Sequence, residues 1–259
     1  MPSVLVFPDP PTLSQYAASQ FNRLAEQAVF QRGRFMVALS GGSTPEALYA
    51  LLAQSPYAGQ PWWKQTHLFW GDERCVPVDD RESCYGWVKH LLLGYISIPE
   101  TQVHRVDGEL PPLDAAADYA RQLARFAEPG LDYPRFDLVL LGMGADGHTA
   151  SLFPGSPPNP QETALAVTAQ YQDRPARRVT LTPRVFNAAH HIFFMVAGAN
   201  KASALANVLT GPVDLTNLPA QRIQPALGQL TWLVDEAAAQ QLPETFKNRS
   251  FSSTREVSK

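Results

Sequence analysis

The residues best suited to chemistry lie in a glycine-rich stretch, Gly142-Met143-Gly144-Ala145-Asp146-Gly147-His148, directly after the apolar run Leu138–Leu141. A histidine has an ordinary pKa of about 6.5 and suits proton transfer near neutrality. Asp146, two residues earlier, is placed to orient the imidazole or select its tautomer. Gly142, Gly144 and Gly147 also satisfy the G-x-G-x-x-G spacing of a dinucleotide-binding turn. That turn needs a helix opening at the motif, inside a strand–helix–strand unit of about 30 residues. Here Pro154, Gly155, Pro157, Pro158 and Pro160 stop any helix within a turn or two. No strand ending in an acidic residue follows, so a nucleotide cofactor is rejected. What is left is a turn that presents Asp146 and His148.

Three further segments carry polar groups behind apolar runs. Ser40-Gly41-Gly42-Ser43-Thr44-Pro45-Glu46 has glycines for a sharp turn, a proline suited to a first helical turn, and the S-x-x-E capping-box spacing. Free N–H groups and the helix dipole favour an anion there, and without a Gly-Lys-Ser/Thr sequence a phosphorylated metabolite fits better than ATP. Gly71-Asp72-Glu73-Arg74 offers a guanidinium fork for a phosphate or carbonyl oxygen. Asp72 and Glu73 are either acid/base groups or anchors for Arg74, and a solvated loop with internal ion pairs is the bland alternative. Lys201, in Gly198-Ala199-Asn200-Lys201, stands in the first turn of a predicted helix, against the dipole. That placement suggests an anion held between them.

The elements that position these loops follow from hydrophobic patterning. Short branched apolar runs at Val4–Phe7, Phe35–Leu39, Thr66–Trp70, Leu138–Leu141, Val179–Leu181, Ile192–Val196 and Leu230–Val234 predict buried strands. Leu13, Tyr16, Ala17, Leu24 and Ala28 line one helical face, and helices are expected over Pro45–Ala53, Ser83–Leu93, Asp114–Phe126 and Asn200–Leu209. The alternation predicts an α/β fold, a mainly parallel, Rossmann-like sheet with helices on both faces. Ligands then bind beyond the carboxyl ends of the strands, where all four loops fall. One α/β catalytic domain over 1–242 and a flexible tail over 243–259, rich in Ser, Lys, Arg and Glu, are expected.

Composition narrows the class. The 259 residues carry a net charge of −3 and are 45% hydrophobic, which gives no basic footprint for nucleic acid. No signal peptide or transmembrane run is apparent, so no membrane partner and a cytoplasmic location are expected. Cys75 and Cys84 lack partners at zinc-site spacing and read as packing residues. His67, His90, His104, His190 and His191 show no metal-ligand spacing and read as structural or solvated, so no metal is expected.

Taken together, S-G-G-S-T-P at 40–45, G-D-E-R at 71–74, G-M-G-A-D-G-H-T-A-S-L-F-P-G-S at 142–156, R-V-T-L-T at 178–182 and G-A-N-K at 198–201 closely resemble the 6-phosphogluconolactonase family. That family lies within the wider superfamily of glucosamine-6-phosphate deaminases, with its deaminase/ribose-5-phosphate isomerase/CoA-transferase-like fold. The resemblance implies hydrolysis of 6-phospho-D-glucono-1,5-lactone to 6-phosphogluconate in the oxidative pentose phosphate pathway, without a cofactor. It implies that His148 is the general base, with Arg74 and Lys201 as substrate-binding cations. Gly41, Gly42, Ser43 and Thr44 would line the pocket. Asp72 and Asp146 both stand as candidate partners of the histidine. The deaminase branch carries an acid five residues after its histidine and Asp-Glu-Tyr in its second loop. This chain has Phe153 and Arg74 there, and both departures point to the lactonase. A non-catalytic sugar-phosphate sensor is the reading from another class. A monomer is favoured.

Overall fold

The computed structural model describes residues 3–158, 160–171 and 173–247. In chain order the strands are β1 (Ser3–Phe7), β2 (Phe35–Leu39), β3 (Thr66–Trp70), β4 (Asp72–Arg74), β5 (Val103–His104), β6 (Leu138–Leu141), β7 (Ala164–Thr168), β8 (Arg177–Leu181), β9 (His191–Val196) and β10 (Gln229–Asp235). The helices are α1 (Pro10–Arg32), α2 (Ser43–Leu52), α3 (Cys84–Leu91), α4 (Pro112–Ala124), α5 (Pro183–Phe186), α6 (Ala202–Thr210), α7 (Glu236–Ala239) and α8 (Glu244–Lys247). A seven-stranded sheet runs β1-β10-β9-β6-β2-β3-β5, and every pairing in it is parallel.

Each central strand is buried on both faces, so its residues divide by alternation between two cores. Phe35, Val37 and Leu39 of β2 join one core, whereas Met36 and Ala38 join the other. Leu138 and Leu140 of β6, and Phe193 and Met195 of β9, follow the first set. Val139, Leu141, Ile192, Phe194 and Val196 follow the second. The first core is closed by the α1 face of Leu13, Ala17, Phe21, Leu24 and Ala28, together with Trp62 and Trp63. Asp9 caps α1 by accepting from Thr12 N at 2.8 Å, and Gly33 ends it in the left-handed conformation.

The second core is closed by α4, α6 and a feature the hydrophobic pattern did not announce, a second sheet of antiparallel order β4-β8-β7. Asp72-Glu73-Arg74 is therefore a buried strand and not a solvated loop. Gly71 passes the chain from one sheet to the other: its N–H donates to Leu39 O and its carbonyl accepts from Leu181 N, both at 2.8 Å.

Two local expectations are corrected. The N-cap of α2 is Gly42 with no side-chain cap, so Ser43 is the first helical residue and the capping box does not form. At the other end, Glu244–Lys247 make a helical turn, with Phe246 packed against the second core. The rest of the expected tail, 248–259, lies outside the described residues. Among those described, no helix is long and apolar enough to cross a membrane.

Candidate active site

Strands β9, β6, β2 and β3 are neighbours in the sheet, so the loops leaving their carboxyl ends converge. They enclose a cavity of about 170 Å³, with Ser40 to Thr44 on one wall and Gly142 to Gly144, His148 and Ala150 on another. Asp72, Arg74 and Arg178 line it from the second sheet, and Lys201 from the turn before α6. Every residue expected from sequence to bind or react lines this cavity except Glu73, which is buried outside it, and Asp146, which stands directly behind His148.

The turn from Gly142 is held by its own backbone. Thr149 Oγ1 donates to Gly142 O at 2.8 Å, Gly144 N to His148 O at 2.8 Å, and Gly147 N to Gly144 O at 3.1 Å. Gly147 adopts φ +80°, which a side chain rarely tolerates. Gly144 is required for a different reason. A Cβ there would overlap Nδ1 and Cε1 of His148 and crowd Asp146 Oδ1 at 2.5 Å. The glycines thus let a histidine and a carboxylate pack against the backbone.

Asp146, not Asp72, is the partner of His148. Its Oδ1 lies 2.6 Å from His148 Nδ1 and accepts the His148 backbone N–H at 3.1 Å. Burial raises the Asp146 carboxyl, but hydrogen bonds from the ring and backbone of His148, with the ring's charge, outweigh it and hold the group below the usual carboxylate range. An ionised Asp146 accepts the hydrogen bond of Nδ1–H, which leaves the ring's lone pair on Nε2. The ring packs against Phe153 and the edge of Tyr171, both at 4.6 Å between centroids. These contacts fix its plane.

Asp72 has another partner: its Oδ2 accepts from Ser151 Oγ at 2.7 Å in a buried hydrogen bond. Glu73 is also buried, and its carboxylate accepts the N–H groups of Arg74, Cys84 and Tyr85, each at 2.7 Å. Burial still pushes it above the ordinary range. By pinning the start of α3, Glu73 sets the Glu82 carbonyl that accepts from Arg74 Nη1 at 2.7 Å.

Arg178 belongs to the R-V-T-L-T motif, but nothing in the sequence marks a role for it. Tyr171 and Arg174 carried no signal. Arg178 is 3% exposed; its Nε donates to Pro175 O at 3.1 Å, and its guanidinium lies 5.4 Å from the Phe153 ring centre. Among the described residues, Arg74 Nε and Arg178 Nη2 are buried without a hydrogen-bond partner. A buried, unpaired guanidinium N–H is costly unless a ligand completes it. Lys201 is half-buried. Burial lowers its pKa, Asp146 opposes that, and Arg174 adds to it. Among the described residues, no group of three or more His, Cys, Asp or Glu could hold a metal ion.

A parallel α/β sheet with a carboxylate-oriented imidazole facing two buried arginines, a lysine and an open helix N-terminus defines an α/β protein with a pocket suited to small anionic ligands. The chain belongs to the glucosamine-6-phosphate isomerase/6-phosphogluconolactonase family, whose model matches residues 8–232. It is 43% identical over 221 residues to the 6-phosphogluconolactonase of Rattus norvegicus, covering 85% of each chain. It is 40% identical over 206 residues to that of Haemophilus influenzae, covering 80% of this chain and 87% of the relative. The solved structure of 6-phosphogluconolactonase from Trypanosoma brucei superposes with a TM-score of 0.82 at 28% identity, covering 94% of this chain and 99% of that one.

Proposed function

We propose that His148 activates the attacking water in the reaction of this chain, hydrolysis of 6-phospho-D-glucono-1,5-lactone to 6-phospho-D-gluconate in the oxidative pentose phosphate pathway. The observation that carries the base assignment is the 2.6 Å contact between Asp146 and Nδ1, which reserves Nε2 for the pocket. Nε2 takes a proton from water as the oxygen attacks the lactone carbonyl carbon. The carbonyl π bond becomes an oxyanion, and the unpaired N–H groups of Arg74 and Arg178 suit it. One such donor contributes about 2.7–4 kcal/mol to lowering a barrier of this kind. Collapse re-forms the carbonyl and breaks the bond to the ring oxygen, which receives the proton from the imidazolium. A lactone is an activated ester, so this sequence needs no second protein acid.

At the other end, Lys201 and the open N-terminus of α2, with Gly41, Gly42, Ser43 and Thr44, suit the phosphate. Phe153 fills the space beside His148, leaving no acid there for aminosugar chemistry. The reading extends to a monomeric catalytic unit spanning 1–242, working in the cytoplasm with its two cysteines free. Acid release from freshly made lactone, followed against the spontaneous rate with glucosamine 6-phosphate in parallel, tests it. Accelerated acid release is expected. Ammonia release identifies a deaminase, and binding without turnover identifies a sensor.

A further inference from the structure

The segments that enter β2, β6 and β9 lie side by side at the amino ends of the sheet, opposite the active site. Asp137 N donates to Met36 O at 2.9 Å and His190 N to Phe136 O at 2.8 Å, which fixes the three entries against one another. Beside them is a cavity of about 320 Å³ lined by Arg32, Arg34, Glu128, Arg135, Asp137 and His190. At about 3.3 Å per residue, strands of this length set it on the order of 13–20 Å from the catalytic pocket. One of the three arginines has a structural explanation. Arg32, in the last turn of α1, suits the helix dipole and is paired at 2.6 Å with Asp137, whose other oxygen accepts from Met36 N. Arg135 uses only Nε, which donates to Ala188 O at 2.9 Å. Among the described residues neither Arg34 nor Arg135 forms an ion pair, and the remaining carboxylate, Glu128, is exposed and pairs with neither. His190 registers the imbalance. Burial lowers its pKa, Arg135 and Arg32 lower it further, and Asp137 and Glu128 offset them only in part.

Two guanidinium groups that line one cavity without a counter-charge repel each other, and an anion between them removes that cost. We propose that this cavity is a second anion site, which takes a phosphate ion or the phosphate group of a metabolite between Arg34 and Arg135, with His190 as a further donor. A tetrahedral dianion has oxygens for two guanidinium forks, and an imidazole beside it is stabilised in its protonated form. The cavity shares no residue with the catalytic pocket, so the proposal goes beyond the lactonase reading and does not depend on it. Arg34, Arg135 and His190 meet only through the pairing of β2, β6 and β9, which is why no local motif marks them.

The test follows the histidine ring resonances of the full chain by NMR while inorganic phosphate is added, with His190→Gln identifying the His190 signal. A saturable shift of that signal is expected, and its pH midpoint at saturating phosphate rises by about one unit, as for an imidazole gaining an adjacent anion. In Arg34→Gln and in Arg135→Gln, made separately and checked for folding by circular dichroism, the phosphate Kd read at His190 rises about tenfold to a hundredfold, the range of one charge-assisted hydrogen bond. Glycerol 3-phosphate is titrated in parallel. Tighter binding than inorganic phosphate assigns the site to a metabolite's phosphate group, and weaker binding assigns it to the free ion. A His190 signal that stays still, or that drifts without saturating into the tens of millimolar, would overturn the proposal. So would folded arginine variants that bind like wild type, or a response confined to His148, which reports the catalytic pocket. The measurement involves no turnover, so a protein that fails to hydrolyse the lactone defeats the proposed function and leaves this site standing.

Discussion

A single oxygen, Asp146 Oδ1, holds His148 twice: it lies 2.6 Å from Nδ1 and accepts the backbone N–H at 3.1 Å. The ring is thus tied in both position and tautomer by a residue only two places away. Replacing the carboxylate with an amide keeps the shape but removes the obligatory acceptor. Asp146→Asn is therefore expected to lower kcat about a hundredfold or more with little change in KM, and His148→Ala to lower it by at least two orders of magnitude. Both are read as acid release above the spontaneous rate. Unchanged kcat in the His148 variant would remove it from the base role.

Gly144 offers a way to disturb the same pair without deleting a functional group. A methyl at this position would occupy the space of the imidazole and of Asp146 Oδ1. Gly144→Ala is expected to lower kcat by an amount comparable to Asp146→Asn while the protein stays folded by circular dichroism. Full activity in this variant would show that the close packing of ring on backbone has no catalytic value.

The sequence exposed the sheet well because its strands are buried on both faces and read as short apolar runs. Phe35–Leu39, Thr66–Trp70 and Leu138–Leu141 have the expected boundaries to the residue. It exposed the second sheet poorly. Asp72-Glu73-Arg74 looks like a loop because nothing local shows that Ser151, Cys84 and Tyr85 will supply hydrogen bonds to its carboxylates. His148 and Lys201 were legible as polar residues after strand and glycine, a local pattern. Tyr171 and Arg174 were not, since their place over the cavity depends on the pairing of β7 with β8 and on no nearby motif. The choice between Asp72 and Asp146 likewise required the path of the chain.

Lys201 lines the cavity, and in the proposed scheme it binds the phosphate and touches no reacting bond. Its loss removes attraction present in both ground and transition states, so Lys201→Ala is expected to raise KM tenfold or more with a smaller effect on kcat. Steady-state rates over a range of lactone concentrations separate the two. A fall in kcat with KM unmoved would place Lys201 at the oxyanion instead.

Arg222 supports the catalytic turn from behind. It is 5% exposed and donates to Leu215 O, Ser156 O, Ser156 Oγ, Pro157 O and Thr216 O, with no carboxylate among these partners. Its removal strands several carbonyls and frees the segment after Phe153. Arg222→Leu is expected to cost on the order of 3 kcal/mol. For a chain of this size, that is a Tm lowered by about 6–12 °C. A Tm within about 2 °C of wild type would show that water replaces the clamp.

Far from the active site, His67 Nδ1 and His104 Nε2 lie 3.0 Å apart, with His104 stacked on Phe69 at 4.5 Å between ring centres. Burial lowers both imidazoles; His67 and Arg125 press His104 further, to about 4, and Arg34 adds to the effect on His67. A histidine whose folded pKa is depressed binds fewer protons in the native state than in the unfolded chain. Above pH 6.5 neither state is protonated at His104 and nothing is lost. As pH falls from 6.5 toward 4, the unfolded chain gains the proton first and stability drops, levelling off below 4. The pair is only partly buried, so after allowance for solvent screening the loss is on the order of 1–2 kcal/mol. His104→Gln removes the titrating ring, and its Tm is expected to decline less than wild type between pH 6.5 and pH 4. Parallel declines in the two proteins would assign the acid sensitivity to other groups, such as the similarly depressed His191.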